Sequence, residues 1–121
     1  MQHGALAYQQ VAQKTATPRD LEAQLLLRAA ARLSACREAE ALDKDEAREA
    51  LQFNRKLWTV FLSAVNRPEN PLPTETKSQV RNLAAYVLDR TFKLELKPEA
   101  EKLDELISIN REIAGGLFGN A

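Results

Sequence analysis

Three prolines fall within the six residues Pro68-Glu69-Asn70-Pro71-Leu72-Pro73, and nothing else in the chain interrupts it so firmly. Proline lacks the amide hydrogen that a helix interior needs, and its ring clashes with the carbonyl four residues back, so no helix passes through this block. On both sides of it apolar residues recur every three to four positions, which is the spacing of one helical face. Before the block lie Ala47, Ala50, Leu51, Asn54, Leu57, Trp58, Phe61, Leu62 and Val65, with one polar interruption at Asn54. After it come Val80, Leu83, Ala84, Val87, Leu88, Thr91 and Phe92. The chain therefore contains two helices joined by a proline-rich loop over 66–73, and the remaining segments must pack on that pair.

Helix-start signals place those segments. Thr17-Pro18-Arg19-Asp20 offers a cap, a proline suited to the first helical position and a carboxylate able to reach back. Leu21, Leu25, Ala29, Leu33 and Cys36 follow as an expected core stripe, widened by Leu26, with Leu27 well off it. Asp43 with Glu46 forms a second capping box ahead of the Ala47 helix. Thr74 or Pro73 opens the next helix. Pro98 breaks the chain before a last one, in which Leu103, Leu106, Ile107, Asn110, Ile113, Ala114 and Leu117 align. Gly115-Gly116 and the Gly119-Asn120-Ala121 end predict a flexible tail over 115–121. A short helix from Ala5 to Thr15, within an arm over 1–16, is marginal by itself and must dock on the domain or on a partner. The expectation is an all-α single domain over 1–121, an up-and-down bundle of four long helices plus a short N-terminal helix. Its expected core is Leu25, Leu33, Leu51, Leu57, Trp58, Phe61, Leu83, Val87, Leu106, Ile107 and Ile113.

Chemistry is sparse. The single histidine, His3, sits near the chain start, and the single cysteine, Cys36, lies on an apolar stripe where it reads as a small core residue rather than a nucleophile. No Cys and His cluster has zinc spacing, Glu38 to Asp45 reads as a solvated junction rather than a calcium loop, and no glycine-rich loop is placed to hold a phosphate. The chain is expected to be no enzyme and to use no metal or cofactor. Lys plus Arg total 17 and so do Asp plus Glu, so the basic excess that phosphate neutralisation demands is missing and direct nucleic-acid binding is not expected. No apolar run approaches the roughly 20 residues that span a bilayer, and no secretory signal opens the chain, so the expected location is cytoplasmic.

Two features are less ordinary. Phe53-Asn54-Arg55-Lys56-Leu57-Trp58 and Ile109-Asn110-Arg111-Glu112-Ile113-Ala114 each set an asparagine on an apolar stripe. A buried amide left unpaired costs about 1–3 kcal/mol, so Asn54 and Asn110 must find partners. They bond each other or backbone carbonyls and fix the register of the bundle, or one of them holds a ligand backbone in a groove. The second feature is surplus apolar surface: Leu27 off its stripe, Leu72 in the proline loop and Leu117-Phe118 in the glycine-flanked end. Apolar residues exposed singly need no explanation, whereas clustered they mark an interaction site.

Taken in order, Ala7-Tyr8-Gln9, Pro18-Arg19-Asp20 with Glu22, Asn54-Arg55 with Leu57-Trp58, Asn70-Pro71-Leu72-Pro73 and Ile107-Ser108-Ile109-Asn110-Arg111-Glu112-Ile113 make the chain resemble the FlaF family. The likeness covers almost the whole chain. It implies a factor in flagellin synthesis and export in flagellated alphaproteobacteria, acting opposite a partner called FlbT. Such a factor either binds flagellin as a chaperone or adaptor, or regulates translation of the flagellin transcript, directly or with FlbT. Charge neutrality favours the first, since the terminal segments of flagellin are amphipathic helices that suit a groove between helices. The expected binding surface comprises Tyr8 and Val11 with Leu27 on the neighbouring helix, and Leu72, Leu117 and Phe118 as further candidates.

Overall fold

A proline begins the first helix. The computed structural model describes residues 18–119, with side-chain surroundings for 19–116. Within them α1 spans Pro18–Glu38, α2 Lys44–Val65, α3 Thr74–Leu96 and α4 Leu103–Gly119, with a 3-10 turn at Ala100–Lys102 leading into α4. No strand occurs among the described residues. The short N-terminal helix expected over Ala5 to Thr15, and the Thr17 cap, lie outside the described residues.

Each break has a local cause. The Asp43 carboxylate accepts from the amides of Asp45 at 3.0 Å and Glu46 at 3.1 Å, satisfying two of the orphan donors of α2. At the other end of α2 the block at 66–73 turns the chain through Asn66, and α3 starts after Pro73, which takes the N-cap position with no side-chain bond. Lys97 closes α3 and a buried Pro98 precedes the 3-10 turn. α4 continues through Gly115 and Gly116 to Gly119, past the point where the glycines were expected to release a tail at 115. Neither glycine adopts a positive φ, so each costs the helix only about 1 kcal/mol and does not end it.

The helices run up, down, up, down. Arg37 near the end of α1 pairs with Asp104 at the start of α4 at 2.9 Å, and Arg55 of α2 pairs with Glu95 near the end of α3 at 2.8 Å. Arg48 Nε also donates to the Glu95 backbone carbonyl at 3.0 Å, one of the carbonyls that a helix end leaves without an internal partner. The packing is unequal: α1 lies most closely along α4 and α2 along α3, while the α1–α2 seam is slighter. Small buried residues, Ala23, Ala29, Ala30 and Ala114, suit the close α1–α4 pairing.

The core of α1 differs from the expected stripe. Ala23, Leu26, Ala30 and Leu33 are fully buried, whereas Leu21 and Leu25 are each 38% exposed. Strict i+4 spacing from Leu21 to Leu25 to Ala29 drifts by about 40° per step on a helix of 3.6 residues per turn, while alternating threes and fours hold one line. The drift carries Leu21 and Leu25 out to the seam. Phe92 departs in the same way at 56% exposed, and Leu94, in line with Val87 and Thr91, takes the core position. Phe61, Leu83 and Ile113 are half-buried and pack at the edge of the core.

A chain of hydrogen bonds runs through this core. Trp58 Nε1 donates to Asn110 Oδ1 at 2.9 Å, Asn110 Nδ2 to Asn54 Oδ1 at 2.7 Å and Asn54 Nδ2 to Thr91 Oγ1 at 3.2 Å. Thr91 gives its own hydroxyl proton to the Val87 carbonyl at 2.6 Å. The three polar members are fully buried, and among the described residues no buried side-chain nitrogen or oxygen lacks a partner. Because the Trp58, Asn110 and Asn54 donors each have their acceptor on a different helix, sliding α2 against α3 or α4 breaks at least one link. The two asparagine amides bond each other, and in doing so they tie α2 to α4.

Candidate functional site: an apolar groove at the loop end

The 66–73 loop is folded back by one side chain. Asn70 Nδ2 donates at 3.1 Å to the Ala64 carbonyl, which also accepts from the Arg67 amide at 3.2 Å, and Asn70 Oδ1 accepts from the Leu72 amide at 3.0 Å. Arg81 of α3 holds the adjoining turn through Asn66 Oδ1 at 2.6 Å. Leu72 is thereby set over the bundle end, where a cavity of about 170 Å³ opens. Its walls are Trp58, Phe61, Ala64 and Val65 of α2, Val80 and Leu83 of α3, Ile113 of α4, and Asn70 and Leu72 of the loop. Trp58 and Phe61 meet edge to face with centroids 5.5 Å apart. One carboxylate faces this apolar wall: Glu22 of α1, whose pKa is held above the ordinary range by burial, against the opposing pull of Arg19.

The groove is continued along the outside by the α1–α2 seam. Arg32 of α1 lies over the Phe53 ring of α2 at 5.1 Å, which fixes where the two helices face each other. Leu25 is seven residues before Arg32 and Val60 seven after Phe53, so each lies two turns along the same stripe. In this antiparallel pair the two turns run in the same direction, toward the groove. Leu25 at 38%, Leu21 at 38% and Val60 at 61% exposed therefore form an apolar rim leading to Glu22 and Ala64. Side chains of this kind left open together are the usual mark of a docking surface.

The residues expected to bind a partner are divided by the fold. Leu72 lines the groove. Leu27 is 42% exposed, but two residues past Leu25 it points about 200° round α1, toward the side away from the seam. Tyr8, Val11, and the side chains of Leu117 and Phe118 lie outside the described residues. Leu21 and Leu25, expected in the core, lie exposed at the rim, as does Val60, for which the sequence carries no such expectation. Its signal was its position off the α2 stripe, where a valine gains nothing from the core.

The opposite end of the bundle differs in character. A cavity of about 430 Å³ there is lined by Arg90, Lys93, Leu94, Lys97, Glu99, Lys102 and Glu105. Lys102 pairs with Glu99 at 2.8 Å and Arg90 approaches Glu105 at 3.8 Å, while Lys93 pairs with Asp89 at 3.0 Å. Cys36 is buried, and desolvation chiefly, with Glu46 and Asp43 nearby, raises its thiol pKa, which suppresses the nucleophilic thiolate. Among the described residues no group of three or more His, Cys, Asp or Glu is arranged to hold a metal ion, and no helix is long and apolar enough to cross a membrane.

No curated protein matches the chain, and no solved structure does. A family model does: that of the flagellar protein FlaF matches residues 5–117. The match takes in the Asn54–Asn110 bundle, the 66–73 loop and both rims of the groove, nearly the whole chain. The protein belongs to the FlaF family of flagellar proteins.

Proposed function

We propose that this flagellar protein binds flagellin as a chaperone or adaptor, taking an amphipathic helix from one of flagellin's terminal segments into the loop-end groove and along the α1–α2 seam. The observation that carries the reading is the apolar groove walled by Phe61, Leu72, Val80 and Leu83, with Leu21, Leu25 and Val60 left exposed on the two helices that flank it. A docked helix places apolar anchors at i, i+3, i+4 and i+7, a pattern that a cleft leading into a straight seam accommodates. Covering the exposed part of each rim side chain contributes about 1 kcal/mol, enough to add selectivity without locking the complex. An export factor must release its cargo. Promotion of flagellin synthesis then follows from sequestering flagellin, and action in the cytoplasm follows from the same role.

Direct regulation of the flagellin transcript, alone or with FlbT, is the second reading, and the cavity lined by Arg90, Lys93, Lys97 and Lys102 is what favours it. Three of those four cations are already engaged by carboxylates, so few remain to neutralise phosphates. Co-purification of flagellin with the wild-type protein and with the Leu25→Gln, Val60→Gln double variant tests the first reading. Loss of flagellin from a variant that melts normally supports it, and full retention refutes it. Filter binding of the flagellin leader at two salt concentrations tests the second: salt-sensitive retention of the RNA by the protein alone would establish it.

A further inference from the structure

We infer that the loop-end groove selects its partner by charge: it takes an amphipathic helix that carries a lysine or arginine among its apolar anchors, and Glu22 pairs with that cation. The inference deepens the reading proposed above by naming what the bound helix must carry, and on that reading, on which it rests, the helix is a terminal segment of flagellin.

Three side chains of the described groove wall carry polar atoms, those of Trp58, Asn70 and Glu22. Two are already engaged inside the protein. The Trp58 indole donates to Asn110 at 2.9 Å, and the Asn70 amide donates to the Ala64 carbonyl and accepts from the Leu72 amide. Among the described residues, no hydrogen bond or ion pair reaches the Glu22 carboxylate. The cation that acts on it is Arg19, one turn earlier on α1 and exposed, and its pull is weaker than the desolvation that raises the Glu22 pKa. The described wall itself holds no lysine, arginine or histidine. Half-buried on a wall shared with Trp58, Phe61 and Ile113, the carboxylate gives up hydration and gains no partner in return. A charge that burdens the fold in this way belongs to a site built for a ligand.

Docking makes the unmatched charge decisive. Leu21 directly precedes Glu22 and Leu25 stands one turn beyond it, both 38% exposed, and Leu72 lines the same groove. A helix that covers Leu25 and Leu72 together also takes the remaining water from Glu22. An ionised carboxylate sealed there without a cation costs more than the burial of a leucine returns, so an uncharged or acidic helix is rejected. A lysine or arginine one turn from the incoming anchors turns the same carboxylate into an attraction and sets the register of docking. Apolar walls alone would accept any amphipathic helix, and Glu22 makes the choice.

The test is binding of dye-labelled peptides to the full chain, read by fluorescence anisotropy. Overlapping peptides of about 20 residues, roughly 30 Å long as helices, cover both terminal segments of flagellin and find the one that binds. Each lysine and arginine of that peptide is then replaced in turn by glutamine. Against wild type, one of these replacements should weaken binding about tenfold. Against Glu22→Gln, which should melt no lower than wild type, the same replacement should change little, so the two losses do not add. Glu22→Lys should prefer a peptide with glutamate at that position to the native peptide. Binding that no replacement weakens, or that Glu22→Gln leaves as tight as in wild type, overturns the inference. So does a Glu22→Gln variant that melts well below wild type, since the carboxylate would then have a structural partner.

Should no flagellin peptide bind, the flagellin reading falls, and the groove is probed with three leucine-based helical peptides that carry lysine, glutamine or glutamate one turn from the leucines. A preference for the lysine peptide that Glu22→Gln abolishes supports the inference; equal binding of the three, or none, overturns it. Sedimentation of the free chain completes the test: a dimer that dissociates on Leu25→Gln substitution puts a second copy in the groove and overturns the inference.

Discussion

Asn54→Asp replaces one atom of the buried polar chain and leaves its volume unchanged. Asn54 is fully buried, its Oδ1 accepts from Asn110 Nδ2 at 2.7 Å, and its Nδ2 donates to Thr91 Oγ1 at 3.2 Å. An ionised aspartate keeps the first bond and loses the second, since the Thr91 hydroxyl proton is already given to Val87. The charge would sit without a cation in a low-dielectric site, so the carboxyl takes up a proton instead. A protonated aspartic acid restores the donor toward Thr91 and reproduces the asparagine bonds. The cost is therefore the work of protonation, about 1.4 kcal/mol for each pH unit above about 3.9. At pH 7 the cost reaches at most about 4 kcal/mol, a large share of the 5–15 kcal/mol typical of a domain. The sign follows: the folded pKa is raised above the unfolded one, so stability relative to wild type is retained below about pH 4 and lost as pH rises toward the folded pKa. Urea unfolding of both proteins from pH 4 to pH 7 measures this. A difference that does not change with pH, or a variant as stable as wild type at pH 7, would show that the site admits water and that the polar chain does not govern the core.

Other outcomes follow from the same contacts. Trp58→Ala, at a side chain 1% exposed, should cost about 3–5 kcal/mol in denaturant unfolding, and Trp58→Phe a smaller amount, about 1–3 kcal/mol, for leaving Asn110 Oδ1 without its donor. Leu25→Gln with Val60→Gln should lower stability by no more than about 1 kcal/mol, measured by thermal melting, because both sites are open, and should release flagellin. Asn70→Ala should speed hydrogen exchange at the Leu72 amide by an order of magnitude or more, with little change in the core amides; unchanged exchange would mean that Leu72 is held by something other than Asn70. Cys36 should resist alkylation at pH 8 in the folded protein and react at once in denaturant.

Helix positions and limits were legible in the sequence because they depend on neighbours in the chain. The prolines at 68, 71 and 73, the Asp43 cap and the start at Pro18 act through the backbone within a few residues. The sequence also marked Asn54 and Asn110 as amides needing partners, because an asparagine on an apolar stripe has an identifiable cost. It could not show that Thr91 and the Trp58 indole complete the chain, since those contacts bridge 37 and 52 residues and depend on how far each helix is rotated. The same rotation decided the site. α1 carries apolar residues at 21, 23, 25, 26, 27, 29, 30 and 33, more than one face can hold, and only its docking on α4 selects Ala23, Leu26, Ala29, Ala30 and Leu33 for the core. Leu21 and Leu25 are left at the seam for that reason. A groove is a space between elements, and no periodicity within one element encodes how far its neighbour stands from it.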